Sequence, residues 1–549
     1  EYRLAKARVA GSNPVSCFFV IFKYFLAAVD GRAEIKGVMV MRQQDARNLS
    51  MVMDFYELTM SNGYFVGQDL DTRVVFDVFY RANPDGGGYS IFAGLEQIVD
   101  YIRNLQFTAE DISYLREQGI FEEEFLDYLA RFTFRGDVYA LPEGTVMYPG
   151  EPIVTVVAPL IDAQLIETAV LLEVNHQSLI ATKTRRICNA AAGRAVSDFG
   201  ARRAHNMDAA VYGARAAVIG GATSTATVLA GQMFDIPVSG TMAHSWVMFY
   251  KDEFTAFEKY ARLYPDATVL LVDTYDVLHS GVPNAIRVAK EVLEPMGKRL
   301  KGIRLDSGDL AYLSKRARKM LDDAGLKDCR IVASNSLDEF TIQSLVRQGA
   351  CIDSFGVGER LITSKSEPVF GAVYKIAAVE EDGIFDPRIK ISENVEKITN
   401  PGWKQIYRVY DENHKAIADL LAGRDEEIET SGEVEYVDPN KPWKHRVFTG
   451  CTFVPLQQPV FIDGRFVGTT PSVKEIAKYV ERQLSEEIWE EEHRVENQHK
   501  QYDERLRTYI TKPKIEITNE NYRYLQFIDI LDNKDNIHIE AQNADEILY

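Results

Sequence analysis

The chain has 549 residues, 46% hydrophobic and 26% charged, an ordinary globular composition that suits two to four domains at roughly 150 residues each. Its 81 acidic and 62 basic side chains give a formal charge of −19, which argues against a nucleic-acid backbone as main partner, because neutralising phosphates takes a basic surface. A small anionic substrate needs only a local cluster of arginines and backbone amides and stays open.

Residues 1–40 stand apart. Cys17–Val29 is an apolar stretch interrupted by Lys23, after a basic start with Arg3, Lys6 and Arg8. It resembles a secretory signal, but the charge falls mid-stretch and the run is too short to span a bilayer. Gly11-Ser12-Asn13-Pro14 is what the T-arm of a transfer-RNA gene spells when translated, and the chain starts at Glu1 rather than at Met. We therefore expect a non-native or disordered extension and a native start at Met39, Met41 or a nearby methionine.

Residues 41–162 read as an N-terminal α/β domain. Val74–Tyr80, rich in β-branched and aromatic residues, is a strand ended by the turn Asn83–Gly88. Helices are expected over Gly94–Asn104 and Glu122–Phe132, and strands over Asp137–Ala140 and Ile153–Val157. Residues 163–369 change texture to helices alternating with short apolar strands: Ala195–Phe199, Pro237–Gly240, Thr268–Val272, Gly302–Leu305, Arg330–Ala333 and Cys351–Phe355. Ala285, Ala289, Val292 and Met296 have the spacing of one helical face, and so do Leu310, Leu313, Ala317, Met320 and Leu321. Such alternation predicts βα units around a parallel sheet, open or closed into a barrel. Residues 370–470 look β-rich, and 471–549 helical and charged, grading into a polar tail after about His499. Five cysteines (Cys17, Cys188, Cys329, Cys351, Cys451) lie far apart with no C-x-x-C pair, so no disulfide framework or zinc site is expected and a reducing cytoplasm fits.

Almost every strand of the central region runs into a polar cluster at its C-terminal end, the end where parallel α/β folds bind ligands. The clusters are Asp198–Arg203, Gly240–Ser245, Asp273–Asp276, Arg304–Asp309, Ser334–Ser336 and Gly356–Arg360. Helix capping accounts for some of the Ser, Asp and Asn, but not for the arginines and the histidine. One shared polar pocket is the expectation.

The pocket motifs carry a specific match. Asp54-Phe55-Tyr56-Glu57-Leu58-Thr59-Met60, Phe199-Gly200-Ala201-Arg202-Arg203-Ala204, Gly240-Thr241-Met242-Ala243-His244-Ser245, Asp273-Thr274-Tyr275-Asp276 and Ile303-Arg304-Leu305-Asp306-Ser307-Gly308-Asp309 occur in this order. Gly356-Val357-Gly358 and Gly371-Ala372-Val373-Tyr374-Lys375 close the series. From about Met41 to Val495 the sequence resembles the nicotinate phosphoribosyltransferase family.

The resemblance implies an α/β fold, the irregular α/β barrel of type II phosphoribosyltransferases. That barrel packs on an N-terminal α/β domain which also takes in sequence after the barrel, and a C-terminal β-rich and helical extension follows. It implies a homodimer with shared active sites, cytoplasmic, with no nucleic acid and no membrane as partner. The substrates would be nicotinate, phosphoribosyl pyrophosphate and ATP, with Mg2+ arriving on the phosphates. Phe199 and Tyr56, the latter from the partner subunit, would sandwich the pyridine ring, while Arg304 and Thr241 would bind its carboxylate. His244 would be the residue that ATP phosphorylates.

Ser307-Gly308-Asp309 and Gly356-Val357-Gly358 have the Gly-rich character of phosphate cradles, and Arg202 would add positive charge there. The family often has threonine after the second glycine of the latter motif, whereas this chain has Glu359, expected to turn its side chain away and offer only backbone. Asp276 and Asp306 are catalytic candidates that could orient either Mg2+ or ribose hydroxyls, and metal ligands stay unassigned. A transferase for nicotinamide or quinolinate is the nearest alternative. Arg304 with Thr241 favours nicotinate over the neutral amide, and quinolinate's two carboxylates would call for a denser basic lining. A barrel aldolase would need a strand-end lysine, and the six clusters have none; a non-catalytic sensor of pyridine metabolites would need degraded clusters.

Overall fold

The run Arg73-Val-Val-Phe-Asp-Val-Phe79 forms the first strand, β1, and all but its first residue are buried. Burial on both faces is why it reads as a near-continuous apolar run. The computed structural model describes residues 47–390, 399–428, 433–438, 441–488 and 515–517. The expected extension 1–40, its candidate start sites and the tail after His499, apart from 515–517, lie outside the described residues.

Strands β2 (Ser90–Ile91), β3 (Asp137–Ala140), β4 (Val146–Met147) and β5 (Val154–Pro159) follow β1. The central region supplies β6 (Ala195–Asp198), β7 (Ser224–Thr225), β8 (Val269–Leu271), β9 (Gly302–Leu305), β10 (Arg330–Ala333) and β11 (Ser354–Val357). These six form one parallel sheet in the order β7-β6-β11-β10-β9-β8. Helices such as Met207–Ile219, Leu310–Asp323 and Glu339–Arg347 connect them, as parallel strands require, and Glu167–Ala190 leads into β6. Leu270, Ile303, Ile331 and Phe355 of the sheet share one core with Ala317, Leu321 and Ile342 of the helices.

After the parallel sheet come β12 (Val373–Glu381), β13 (Ile384–Pro387), β14 (Lys404–Tyr410), β15 (Ala416–Gly423), β16 (Glu433–Asp438), β17 (Lys441–Thr449), β18 (Thr452–Pro455), β19 (Gln458–Ile462), β20 (Arg465–Phe466) and β21 (Ile515–Ile517). Four of them complete a seven-stranded sheet of order β13-β12-β1-β5-β3-β19-β20, so strands from both sides of the parallel region pair together. The architecture is mixed α/β, a parallel sheet with N- and C-terminal sheet-rich regions around it.

Helix Leu310–Asp323 shows why the sequence pattern was readable. Asp309 caps it by accepting from the Tyr312 amide at 3.0 Å, and Leu310, Ala317 and Leu321 are buried while Leu313 and Met320 pack beside them. The preceding helix departs from its pattern. Ala285, Ala289 and Val292 are buried, but Ala289–Leu293 is a wide π turn and Met296 ends up 41% exposed. A π turn holds more residues than an α turn, so the apolar stripe rotates off the face before it reaches Met296.

Two other expectations are corrected. Pro237–Gly240 is not a strand: Val238 makes a single bridge to Thr225 and is 55% exposed. The flanking proline and glycine explain this, since one lacks an amide donor and the other is costly to hold extended. The strand expected at Cys351–Phe355 lies at Ser354–Val357. Helix Ala109–Glu117, which was not expected, carries a capping box made by Thr108 and Asp111.

Candidate active site

The strand ends of the parallel sheet converge. Asp198, buried at the end of β6, accepts from the Gly200 amide at 2.8 Å and the Thr225 hydroxyl at 2.7 Å. Burial pushes its carboxyl above the ordinary range, and those two bonds pull it back. Phe199 follows, with its amide bonded to the Val357 carbonyl at 2.8 Å, so the ring is anchored where β6 and β11 meet. A Cβ built on Gly356 would lie 2.3 Å from that ring, so the ring rests directly on bare backbone.

Gly356→Ala should therefore dislodge Phe199 and lower kcat/KM by about 10- to 100-fold through lost ring stacking and position. Steady-state kinetics would check this. An unaltered kcat/KM would mean that the Phe199 face does not hold substrate.

The guanidinium carbon of Arg304, at the end of β9, stands 5.4 Å from the centre of the Phe199 ring. Arg304 is held on three sides. Nε donates to Ser334 Oγ at 2.8 Å, Nη1 to Thr241 Oγ1 at 3.3 Å and Nη2 to Asp306 Oδ1 at 3.0 Å. A guanidinium has about five N–H donors, so these three bonds leave one N–H on each terminal nitrogen, enough for a two-point contact with a carboxylate.

Asp306 links this arginine to His244. Its Oδ1 takes Arg304 and the Ser334 hydroxyl, and its Oδ2 lies 3.6 Å from His244 Nε2. The other ring nitrogen, Nδ1, is 3.1 Å from Thr274 Oγ1. Asp273 braces the loop from beneath, accepting from the Asp306 amide at 3.1 Å and the Ser307 hydroxyl at 2.6 Å. Asp273 is 9% exposed, and its Oδ1 is buried with no hydrogen-bond partner. Such an orphan acceptor is costly unless something else meets it.

The structure thus brings Phe199, Thr241, His244, Arg304, Asp306 and Ser307 into one network and gives partners in it to three residues that sequence placed in the strand-end clusters without a role: Asp273, Thr274 and Ser334. Gly308 adopts φ +78° and opens helix Leu310–Asp323, whose cap is Asp309. Gly358 precedes the short turn of helix Glu359–Ile362. The Glu359 carboxylate is turned to Lys365 at 2.6 Å, with Arg203 at 3.9 Å, and the lysine bond holds its carboxyl below the usual range. Arg202 is solvent-exposed nearby.

Asp276 and Tyr56, like Arg202 and the Glu359 side chain, lie outside the network. Asp276 caps the following helical turn, accepting from the Leu278 and His279 amides at 2.9 and 2.8 Å, with the His279 ring at 3.1 Å. Tyr56 sits on helix Phe55–Val66, 43% exposed, with its hydroxyl toward Glu167; partial burial and that carboxylate raise its pKa. Among the described residues no group of three or more His, Cys, Asp or Glu could hold a metal ion, the four described cysteines are free, and no helix is long and apolar enough to cross a membrane.

Three family models match the chain: the nicotinate phosphoribosyltransferase N-terminal domain over residues 51–175, the nicotinate phosphoribosyltransferase family over 194–412 and the nicotinate phosphoribosyltransferase C-terminal domain over 403–502. A nicotinate phosphoribosyltransferase of Bacillus subtilis is 46% identical over 451 residues, covering 82% of this chain and 91% of that one. A Caenorhabditis elegans protein of the same name is 32% identical over 532 residues, covering 86% and 93%. The crystal structure of human nicotinic acid phosphoribosyltransferase superposes with a TM-score of 0.72 at 28% identity, over 83% of this chain and 99% of that one. Matched along nearly its whole described length, with the strand-end motifs gathered in one pocket, the chain belongs to the nicotinate phosphoribosyltransferase family.

Proposed function

We propose that the chain joins nicotinate to phosphoribosyl pyrophosphate, giving nicotinate mononucleotide and pyrophosphate, with ATP hydrolysis driving the reaction through a phosphohistidine at His244. The observation that supports this most is the free N–H on each terminal nitrogen of Arg304, beside the Phe199 ring. A carboxylate gripped by both carries its own flat ring onto Phe199. The pyridine nitrogen then attacks the anomeric carbon, a C–N bond forms, and the C–O bond to pyrophosphate breaks with its electron pair leaving on oxygen. Ser307, Gly308 and Asp309, at the N-terminus of helix Leu310–Asp323, and the backbone of Gly356–Glu359 are the proposed cradles for the two phosphate groups, with Arg202 adding charge. Because Lys365 takes the Glu359 carboxylate, only backbone is offered at that position.

Asp306, whose side chain is 25% exposed beside His244, is the residue that would face a Mg2+ ion arriving on the substrate phosphates. When bound, the ion would offset charge on the departing pyrophosphate. The His244 side chain is 40% exposed, accessible to an incoming phosphoryl group. Tyr56, exposed and apart from the Phe199 network, would serve a second copy of the chain in the homodimer with shared sites that this reading includes.

The test is pyrophosphate release from nicotinate and phosphoribosyl pyrophosphate, with and without ATP. Release in both conditions, faster with ATP, is expected. Preference for nicotinamide would overturn the substrate assignment.

A further inference from the structure

Ser334, at the end of β10, is 3% exposed, and its one hydroxyl serves two site residues. It accepts from Arg304 Nε at 2.8 Å and donates to Asp306 Oδ1. A hydroxyl has a single hydrogen to donate, so both of these roles are committed within the site. The neighbouring backbone is unusual: Asn335 and Ser336 follow with φ of +91° and +45°, a rare left-handed pair for side-chain-bearing residues. The turn after β10 thus holds Ser334 against both partners at some conformational cost.

We propose that Ser334 is a positioning residue for both halves of the reaction, fixing Arg304 and Asp306 in one arrangement so that the grip on the substrate carboxylate and the setting of His244 are established together. The inference rests on the reading that Arg304 binds that carboxylate and His244 takes the phosphoryl group. It follows from how the bonds are shared. With Nε tied to Ser334, the guanidinium plane is held from rotating, its central carbon 5.4 Å from the centre of the Phe199 ring. With Oδ1 of Asp306 shared between Arg304 and Ser334, Oδ2 is the oxygen left facing His244 Nε2. Removing the hydroxyl leaves a partly buried N–H unpaired and takes away one of the two bonds that hold Asp306 Oδ1. Thr241 offers a contrast, because its hydroxyl meets Arg304 and neither Asp306 nor His244.

The experiment compares wild type, Ser334→Ala, Thr241→Val and His244→Ala by pyrophosphate release. Two quantities are read: KM for nicotinate without ATP, and the ratio of turnover with ATP to turnover without. Both are independent of how much of a sample is folded. Ser334→Ala should raise KM about tenfold and lower the ATP ratio by a similar factor. Thr241→Val should raise KM and keep the ratio. The proposal is overturned if Ser334→Ala moves neither quantity, or moves KM alone as Thr241→Val does. Full ATP stimulation in His244→Ala would instead sink the phosphohistidine reading on which the proposal stands.

Discussion

Arg304→Gln should lower kcat/KM for nicotinate about a thousandfold, roughly 4 kcal/mol of transition-state stabilisation. The loss should be smaller for nicotinamide, so that discrimination between the two collapses. The reason is the donor geometry. Arg304 presents one free N–H from each terminal nitrogen, and a carboxylate meets both with acceptors. A neutral amide offers one acceptor and one donor, so one of the two N–H groups faces another donor and stays unsatisfied. Glutamine removes the charge and the fork together. Arg304→Lys restores the charge without the fork and should recover only part of the activity, since an ammonium cannot reproduce planar two-point contact. Steady-state kinetics with both substrates decides the matter: a glutamine variant that still prefers the acid as strongly as wild type would place the carboxylate elsewhere.

His244→Ala should abolish ATP stimulation, bringing the ratio of turnover with and without ATP to about one. Slow ATP-independent synthesis should persist. Phe199, Arg304 and the phosphate-cradle loops are untouched by this change, and positioning the two substrates already supplies a large part of the rate. The isolated protein should also lose covalent incorporation of the γ-phosphoryl of ATP. Equal loss of stimulated and unstimulated turnover would show that the ring acts on the nicotinate step itself, where Asp306 Oδ2 at 3.6 Å and Thr274 at 3.1 Å would hold it.

Most of the pocket was legible because polar clusters follow apolar strands. β9 and β10 fall on the ranges their apolar runs predict, and Arg304, Asp306 and Ser307 emerge at one end of β9. What sequence could not settle is which of two nearby like residues points inward. Asp273 and Asp276 stand three apart in one motif, yet Asp273 is buried under the Asp306 loop while Asp276 is exposed and caps a turn. That choice depends on where β8 ends, a matter of one or two residues that composition does not resolve. Ser334 stood in a strand-end cluster, but its role was hidden for a related reason: serine there also reads as a cap, and only the fold shows that it bridges Arg304 and Asp306. β7 escaped notice because Ser224 and Thr225 carry no apolar signal, and its pairing with β6 is set by the tertiary fold.

The order β13-β12-β1-β5-β3-β19-β20 has a consequence for how the chain is born. β1 and β5 leave the ribosome early and can pair at once, but the neighbour that covers the other side of β1 is encoded beyond the entire catalytic region. Until β12 emerges, β1 shows a bare row of amides and carbonyls, a template on which other nascent chains can add. A polypeptide interrupted between Ser366 and Val373 should therefore clump instead of surviving as half an enzyme, even though every strand-end loop of the parallel sheet has already been synthesised.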